Sequence, residues 1–288
     1  MKRSKKSWLL VAVCISALAL LVAGCSHSSA PPANQGNPPA PPEVKDFRVG
    51  MECNYAPFNW TQLDDSNGAV PIDGGNFANG YDVQIAKKIA DGLGRNLVIV
   101  KTEWDGLILA LNAGMIDAVI AGMSPTADRA LSVDFSEPYY NSDLVIVVRN
   151  DSPFAAAKSI QDFKGAKITA QLNTFHYTVI DQIEGVKMQQ AMTDFPAMIV
   201  ALGSGIIDGY ISERPGANSA VRSNAALTFV AFDEGQGFAA SLEDTAISVA
   251  LKKGNSDLAK IDEIVATISK DERETLMEEA LANQPAEE

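Results

Sequence analysis

The chain is poor in the residues that form disulfides and bind transition metals. Its 288 residues include three cysteines and two histidines. Cys14 and Cys25 belong to the N-terminal segment, which leaves Cys53 as the one thiol in the rest of the sequence. A single thiol cannot close an internal disulfide, and His176 has no cysteine or second histidine near it in sequence. We therefore expect Cys53 to be a small buried residue, and we expect no metal site and no cofactor.

Positive charge is also scarce. The sequence has 23 Lys and Arg against 36 Asp and Glu, which gives a formal net charge of −13. Such an acidic chain repels phosphate backbones, so nucleic acid is not an expected partner. With 47% hydrophobic and 20% charged residues, the composition is that of a globular protein, and the length allows two ordinary domains.

Long apolar runs are missing except at the N-terminus. There, "MKRSKK" precedes an apolar run over residues 8–22, and "LVAGC" follows at residues 21–25. This run is too short for a membrane span and is typical of a secretion signal over residues 1–24. "LVAGC" resembles the lipobox of bacterial lipoproteins, which implies that Cys25 carries a lipid anchor to the cell membrane. The alternative is a plain signal peptide in which Cys25 is incidental.

A proline-rich segment separates this N-terminus from the rest of the chain. Residues 25–43 hold six of the 14 prolines and no large apolar side chain. Such a segment cannot bury a core, and in polyproline geometry it reaches on the order of 50 Å. We predict a tether between a lipid-anchored Cys25 and a folded region that begins at residue 44.

Short strand and helix patterns alternate from residue 44 onward. "DFRVGM", "NLVIVK", "DAVIAG", "AKITAQ" and "IDGYIS" are typical of strands. "YDVQIAKKIADGLG", "WDGLILALNAG", "FPAMIVALGSG" and "ERPGANSAVRSN" are typical of helices, and the C-terminal region indicates two more. This alternation predicts an α/β fold with mainly parallel sheets.

Two segments of the chain share a local plan. "LILALNAGMIDAVIAG" and "MIVALGSGIIDGYIS" both pass from an apolar helix through Gly to an Asp that opens a strand. The loops that follow the two strands, at 121–129 and 212–217, then correspond to one another. Ligands of open α/β sheets bind beyond the carboxyl ends of the strands, so both loops are candidate binding elements.

The first of these loops contains "GMSPTADR" at residues 122–129. Ser124 and Thr126 can cap the next helical turn, and Gly122 allows a close approach to the backbone. Arg129 adds a planar fork that can hold a carboxylate through two hydrogen bonds. From these residues alone, Arg129 could equally be a surface residue that pairs with Asp134.

The neighbouring motifs resemble those of a known family. "ECNYAPFNW", "GYDVQIAKKIA", "EWDGLILALNAGMIDAVIAGMSPTADR" and "VDFSEPYY" occur in this order. Together they resemble the polar amino-acid branch of the extracellular solute-binding proteins that feed ABC importers. The resemblance covers residues 44–284.

The resemblance implies a periplasmic-binding-protein-like fold, in which two α/β lobes joined by a two-strand hinge enclose a ligand cleft. Lobe 1 would comprise 44–147 and 244–288, and lobe 2 would comprise 148–243. The hinge strands would lie near 147–149 and 242–246. The protein would act as a monomer that delivers its ligand to a permease and its ATPase.

The resemblance also assigns roles in lobe 1. Arg129 corresponds to the residue that clamps the ligand's α-carboxylate, with Ser124 and the Gly122 backbone beside it. Tyr55 and Trp104 correspond to the two rings that flank the ligand side chain. In addition, Glu52 corresponds to the acidic residue at the end of the first strand, which would meet the end of that side chain.

In lobe 2, Glu213 corresponds to the carboxylate that holds the α-ammonium, where the family more often has Asp. The family's Gly-Thr-Thr segment falls on residues 173–175, so Thr174 and Phe175 are further candidate contacts. The sequence departs from the family pattern at that segment.

Three alternatives remain at this point. A basic amino acid (arginine, lysine or histidine) is favoured as ligand because a cationic side chain between two rings would also pair with the acid at its end, but glutamine could bond the same Glu52. The fold also hosts cyclohexadienyl and arogenate dehydratase-like enzymes, in which Glu213 or His176 could serve as acid or base. A third possibility is a surface sensor or adhesin that binds an amino acid without feeding a transporter.

Overall fold

A computed structural model describes residues 44–285 of the chain. These residues form one compact unit. The predicted signal segment, the lipidated Cys25 and the proline-rich tether all lie outside the described residues. No helix within the described range is long and apolar enough to cross a membrane.

The first lobe is built on a five-stranded sheet. Its strand order is β6 (Asn96–Lys101), β1 (Asp46–Met51), β7 (Ala118–Val119), β16 (Ala250–Lys252) and β8 (Val133–Phe135). β6, β1 and β7 are parallel, whereas β16 runs antiparallel to both of its neighbours. The consecutive residues Val49, Gly50 and Met51 of β1 are all buried, as expected for a strand covered on both faces.

Helices and a small antiparallel sheet complete this lobe. The small sheet has the order β2 (Asn54–Tyr55), β3 (Asn59–Gln62), β5 (Phe77–Asn79) and β4 (Val70–Pro71). The predicted amphipathic helix is α1 (Tyr81–Leu93), which ends at the left-handed Gly94. The remaining helices of the lobe are α2 (Leu107–Asn112), α3 (Ala127–Ala130), α8 (Leu258–Thr267) and α9 (Lys270–Asn283), with 3-10 turns at Ser66–Gly68 and Trp104–Gly106.

The second lobe repeats the plan of the first. Its sheet has the order β12 (Lys187–Met188), β11 (Lys167–Thr169), β13 (Gly209–Glu213), β10 (Leu144–Arg149) and β14 (Leu227–Val230). Again three strands are parallel, and the fourth, β10, is antiparallel to both neighbours. Its helices are α4 (Phe175–Thr178), α5 (Phe195–Gly203) and α6 (Arg214–Ser223), with 3-10 turns at Pro153–Ala156, Ile160–Phe163 and Val179–Gln182.

The chain passes between the lobes beside a short strand pair. β9 (Tyr140–Asn141) pairs antiparallel with β15 (Ala246–Ile247), which follows the short helix α7 (Leu242–Thr245). The first crossing differs from the sequence-based expectation, because β10 is already paired within the second sheet from Leu144 onward. The boundary expected after residue 147 therefore falls inside a buried strand. The apolar run that forms β10 carries no turn signal that would have marked the crossing.

Candidate functional site

The strand ends of the two lobes face one cavity. The residues that line it are Tyr55, Trp104, Gly122, Ser124, Arg129, Gln171, Thr174, Phe175, His176, Phe195 and Glu213. Every site residue indicated by the sequence is among them except Glu52, which lies just behind the wall. The structure adds Gln171, His176 and Phe195 to that set.

Arg129 lies on the short helix α3, at the wall formed by lobe 1. Its Nη1 donates to the Ser124 carbonyl oxygen at 3.0 Å, and its Nη2 donates to the Asn173 carbonyl oxygen of lobe 2 at 3.0 Å. The guanidinium carbon is 5.0 Å from the centre of the Trp104 ring. Burial lowers the pKa of Arg129 to about 10, against the raising effect of Glu213. The side chain remains a cation at neutral pH.

The alternative partner of Arg129 is occupied elsewhere. Asp134 accepts from Lys253 Nζ at 2.8 Å and from the Gly254 N–H at 2.7 Å. The hydrogen bonds of the Arg129 guanidinium both go to neutral carbonyl oxygens. Among the described residues, Arg129 therefore forms no ion pair, and its side chain lines the cavity.

Gly122 brings two loops of lobe 1 together. Its φ of +62° lies in the left-handed region, and a Cβ at this position would come within 2.9 Å of Cε1 of Tyr55. A larger residue would therefore be strained and would displace the aromatic ring. The backbone N–H of Gly122 donates to the Tyr139 hydroxyl at 3.3 Å.

Tyr55 spans from lobe 1 to lobe 2. Its ring stacks on Phe195 at a centroid distance of 4.2 Å and an angle of 9°. Its hydroxyl donates to Oε2 of Glu213. Burial, and next the charge of Glu213, raise the pKa of Tyr55 well above its usual range, so the hydroxyl stays protonated.

Glu213 ends strand β13 and is buried at the wall formed by lobe 2. Its Oε1 lies 3.3 Å from Nε2 of His176, whose buried Nδ1 has no hydrogen-bond partner within residues 44–285. From the sequence, His176 was expected only as a possible acid or base of an enzyme. Its position in α4, directly after residues 173–175, gave no signal of contact with Glu213.

Glu52 meets the second lobe through an amide. Gln171 Nε2 donates to Oε1 of Glu52 at 3.0 Å and to the Thr193 carbonyl oxygen at 3.0 Å. The other carboxyl oxygen of Glu52 is buried and has no partner among the described residues. Burial raises the pKa of Glu52 to about 8, although the bond from Gln171 opposes the shift. At neutral pH this group is therefore mostly protonated.

The segment that departs from the family pattern still contributes to the cavity. Thr174 and Phe175 line it, and the Thr174 hydroxyl donates to the Gln171 carbonyl oxygen at 2.7 Å. Asn173 adopts a left-handed φ of +57° and donates from Nδ2 to Oδ1 of Asp105 in lobe 1 at 2.9 Å. This loop thus makes direct contact with the opposite lobe.

The cavity combines one cation, one carboxylate and several aromatic rings. Arg129 contributes the positive charge from lobe 1, and Glu213 contributes the negative charge from lobe 2. A small molecule that carries both a carboxylate and an ammonium group would match the two walls. Within residues 44–285, no cluster of His, Cys, Asp or Glu is arranged to hold a metal ion.

Comparison with known proteins identifies relatives across most of the chain. A probable histidine-binding protein of Campylobacter jejuni is 32% identical over 195 residues, which cover 67% of this chain and 70% of the relative. The L-cystine-binding protein TcyJ of Escherichia coli is 30% identical over 256 residues, or 87% of each chain. Among solved structures, an ancestral arginine-binding protein bound to arginine is 31% identical with a TM-score of 0.66, over 81% of this chain and 97% of the other.

These relatives are binding proteins and not enzymes, so they give no support to the dehydratase alternative. Their two-lobed α/β architecture agrees with the topology of the two sheets, and the predicted fold is confirmed. The family described as bacterial extracellular solute-binding proteins, family 3, matches residues 47–281. The chain therefore belongs to family 3 of the bacterial extracellular solute-binding proteins, as its ordered motifs indicated.

Proposed function

We propose that this amino-acid-importer binding protein captures a free basic amino acid, arginine first, by closing its lobes. Its family works outside the cytoplasm and supplies ABC importers. The observation that carries the proposal is the placement of Arg129 and Glu213, which line one cavity from opposite lobes. The cation of Arg129 and the carboxylate of Glu213 match the α-carboxylate and α-ammonium groups that free amino acids share.

The energetics favour a ligand that pairs both charges. Leaving either a carboxylate or an ammonium group unpaired in a dry site is costly, so each must meet a partner of opposite charge. Arg129 would hold the α-carboxylate and Glu213 the α-ammonium. Micromolar affinity corresponds to only about −8 kcal/mol, which two charged clamps and flanking rings can supply.

Lobe closure follows from the same arrangement. A ligand that contacts Arg129 and Glu213 at once interacts with the closed form better than with the open form, and it therefore shifts the population toward closure. Three hydrogen bonds between the lobes, at Tyr55–Glu213, Arg129–Asn173 and Asn173–Asp105, support this proposal.

A basic side chain fits the remaining part of the site. Trp104 and Tyr55 line the cavity with aromatic rings, and Glu52 with its unpartnered oxygen would become the counter-ion of a guanidinium or ammonium group. Relatives named as binding histidine or arginine are consistent with this ligand class.

Glutamine is the second candidate, and the state of Glu52 favours it. With a pKa of about 8, Glu52 is mostly a neutral acid at pH 7 and can donate a hydrogen bond to an amide oxygen. An ancestral arginine-binding protein has also been solved bound to glutamine, at 29% identity and a TM-score of 0.67.

Thermal-shift screening of the form that begins at residue 44 tests the proposal. The screen covers the twenty amino acids and cystine, with calorimetry on every hit. A large shift with arginine, lysine or histidine supports a basic ligand. A shift with glutamine or cystine alone would mean that the protein binds an amino acid but that the proposed basic side chain is wrong. No shift with any of them would overturn the proposed function.

We also propose that Cys25 is lipidated and tethers the binding domain to the cell membrane beside its permease. Mass spectrometry of the mature protein should find an acylated N-terminal cysteine. The variant Cys25→Ala should leave ligand affinity unchanged and release the protein from the membrane fraction; membrane retention would contradict the anchor.

A further inference from the structure

We propose that Asp82 is a positioning residue that holds two ligand-facing loops of lobe 1 in register and thereby shapes the carboxylate subsite. The loops are the first-strand loop, residues 52–60, and the carboxylate loop, residues 122–129. This inference rests on the proposed function, because it assigns the carboxylate of the ligand to the second loop. Asp82 itself does not line the cavity.

Asp82 lies in the first turn of α1 and is fully buried. Each of its carboxyl oxygens accepts one side-chain hydrogen bond. Asn59 Nδ2 donates to Oδ2 at 2.8 Å, and the Tyr139 hydroxyl donates to Oδ1 at 2.7 Å. Both partners are themselves fully buried, so the carboxyl group links two otherwise separate parts of the chain.

The Asn59 bond leads to the first-strand loop. Oδ1 of Asn59 accepts from the Cys53 N–H at 2.7 Å. Cys53 has a φ of +57°, which a residue with a side chain rarely adopts, and it lies between Glu52 and Tyr55 in the sequence. The amide of Asn59, oriented by Asp82, thus supports the backbone turn between Glu52 and the cavity-lining Tyr55.

The Tyr139 bond leads to the carboxylate loop. The Tyr139 hydroxyl uses its proton for Asp82, which leaves its oxygen free to accept from the Gly122 N–H at 3.3 Å. Gly122 begins the loop that carries Ser124 and Arg129, and it packs against the Tyr55 ring. Asp82 is therefore two hydrogen bonds away from the turn on which the Arg129 clamp depends.

A carboxylate suits this position because both of its oxygens accept. An amide offers one acceptor and one donor, so it could serve Asn59 or Tyr139 but not both in the present arrangement. Burial is costly for a carboxylate and raises the pKa of Asp82 to about 7, while the hydrogen bonds from Tyr139 and Asn59 favour the ionised form. An acid retained at such a position is consistent with a role that an apolar side chain cannot fill.

The test compares three single variants. Asp82→Asn removes one of the two acceptors, and Tyr139→Phe removes only the hydroxyl that joins Asp82 to Gly122. Tyr81→Phe is the matched control, since Tyr81 is equally buried and its hydroxyl donates to the Tyr139 carbonyl oxygen at 3.0 Å, outside the carboxylate network. Each variant changes one buried polar group, and Tyr139→Phe removes both the bond to Asp82 and the bond from Gly122.

The readout is the ratio of dissociation constants for argininamide and arginine, which differ in the carboxylate. We expect Tyr139→Phe and Asp82→Asn to weaken arginine binding about tenfold or more and argininamide binding less than about threefold, so the ratio falls. Tyr81→Phe should leave the ratio unchanged. If Tyr139→Phe and Tyr81→Phe keep the same ratio as the wild type, Asp82 only stabilises the fold and the proposal is wrong.

Hydrogen exchange gives a second readout that needs no ligand. Tyr139→Phe should raise amide exchange in residues 122–129, and Asp82→Asn should raise it in that loop and in residues 52–60, whereas Tyr81→Phe should do neither. Unchanged exchange in both loops would overturn the proposal even if no amino acid binds. Failure of the wild type to bind any amino acid, with the exchange pattern as expected, would instead overturn the proposed function alone.

Discussion

The two lobes carry the same helix–turn–strand frame. In lobe 1 it runs through α2 and β7, and in lobe 2 through α5 and β13. Gly114 and Gly205 both turn the chain at a φ of +74°. Equivalent residues of the two helices are also similarly exposed: Leu109 and Val200 are both 71% exposed. The predicted correspondence between "LILALNAGMIDAVIAG" and "MIVALGSGIIDGYIS" is therefore confirmed in three dimensions.

Different side chains stabilise the two frames in the same way. Asp117 Oδ2 accepts from the Arg48 N–H at 2.8 Å, and Asp208 Oδ2 accepts from the Lys167 N–H at 2.8 Å. The basic side chain then reaches the end of the helix, from Arg48 Nη1 to the Met115 carbonyl oxygen and from Lys167 Nζ to the Gly205 carbonyl oxygen. The lobes differ in one respect: Arg48 also forms an ion pair with the Asp117 carboxylate at 2.7 Å, whereas Lys167 Nζ donates to the Gly205 and Ile206 carbonyl oxygens.

The difference between the lobes lies at the opposite end of the strands. After β7 the chain carries Arg129, whereas β13 ends in Glu213. One frame thus presents a cation and the other an anion to the same cavity. The frame determines where the loops meet, and the charges of the loops determine what can bind there.

The largest effect should come from removing the cation of this pair. Arg129→Ala should weaken arginine binding at least about 100-fold, because the ligand carboxylate would be buried without a partner. The fold should be retained, as the lost bonds go to two loop carbonyl oxygens. Calorimetry gives the affinity, and Arg149→Ala on lobe 2 is the control for loss of an arginine; unchanged affinity in Arg129→Ala would refute the clamp.

Removing the anion should have a somewhat smaller effect. Glu213→Gln should weaken binding about 10- to 100-fold, since a side-chain amide oxygen can still accept from the ligand ammonium but lacks the charge. Circular dichroism and calorimetry on the purified variant would separate misfolding from loss of affinity. Affinity equal to that of the wild type would mean that lobe 2 does not hold the ammonium group.

The pH dependence of binding separates the two candidate ligands. Because burial raises the pKa of Glu52 to about 8, a cationic side chain can pair with it only after the carboxyl group loses its proton. Arginine affinity should therefore rise by about tenfold or more from pH 6 to pH 8, with proton release on binding. Calorimetry in buffers of different ionisation enthalpy measures the number of protons released on binding. Glu52→Gln should abolish both the proton release and the pH dependence of arginine affinity. A flat profile in the wild type would exclude this pairing.

The smallest effects should come from the frame itself. Asp117→Asn and Asp208→Asn each weaken a similar contact, so both should lower the free energy of unfolding by about 1–2 kcal/mol. Partial burial would raise the pKa of Asp117, but its bonds to Arg48 hold that pKa below its usual range. The stability difference between Asp117→Asn and the wild type should therefore shrink as the pH falls through the pKa of Asp117, because the wild type then also loses the carboxylate charge. Denaturant titration gives the stability, and a loss of ligand affinity in either variant would contradict the separation of frame from site.

The sequence was sufficient for those features that depend on local pattern and ordered motifs. The helix at Tyr81–Leu93, both α/β frames and most of the cavity lining followed from periodicity and from the family resemblance. Gln171, Phe195 and the contact between His176 and Glu213 did not, because they depend on how lobe 2 packs against lobe 1. The buried, mostly neutral state of Glu52 and the link from Asp82 to Gly122 likewise arise only from tertiary burial.

The central claim is that the two lobes hold the two charges of an amino acid, and a calorimetric titration with arginine and agmatine tests it most directly. Agmatine keeps the guanidinium group and one amine but has no carboxylate. Micromolar or tighter binding of arginine, with agmatine weaker by at least about 100-fold, is the predicted result. Equal binding of the two ligands would contradict the account, because Arg129 would then play no part in recognising a carboxylate.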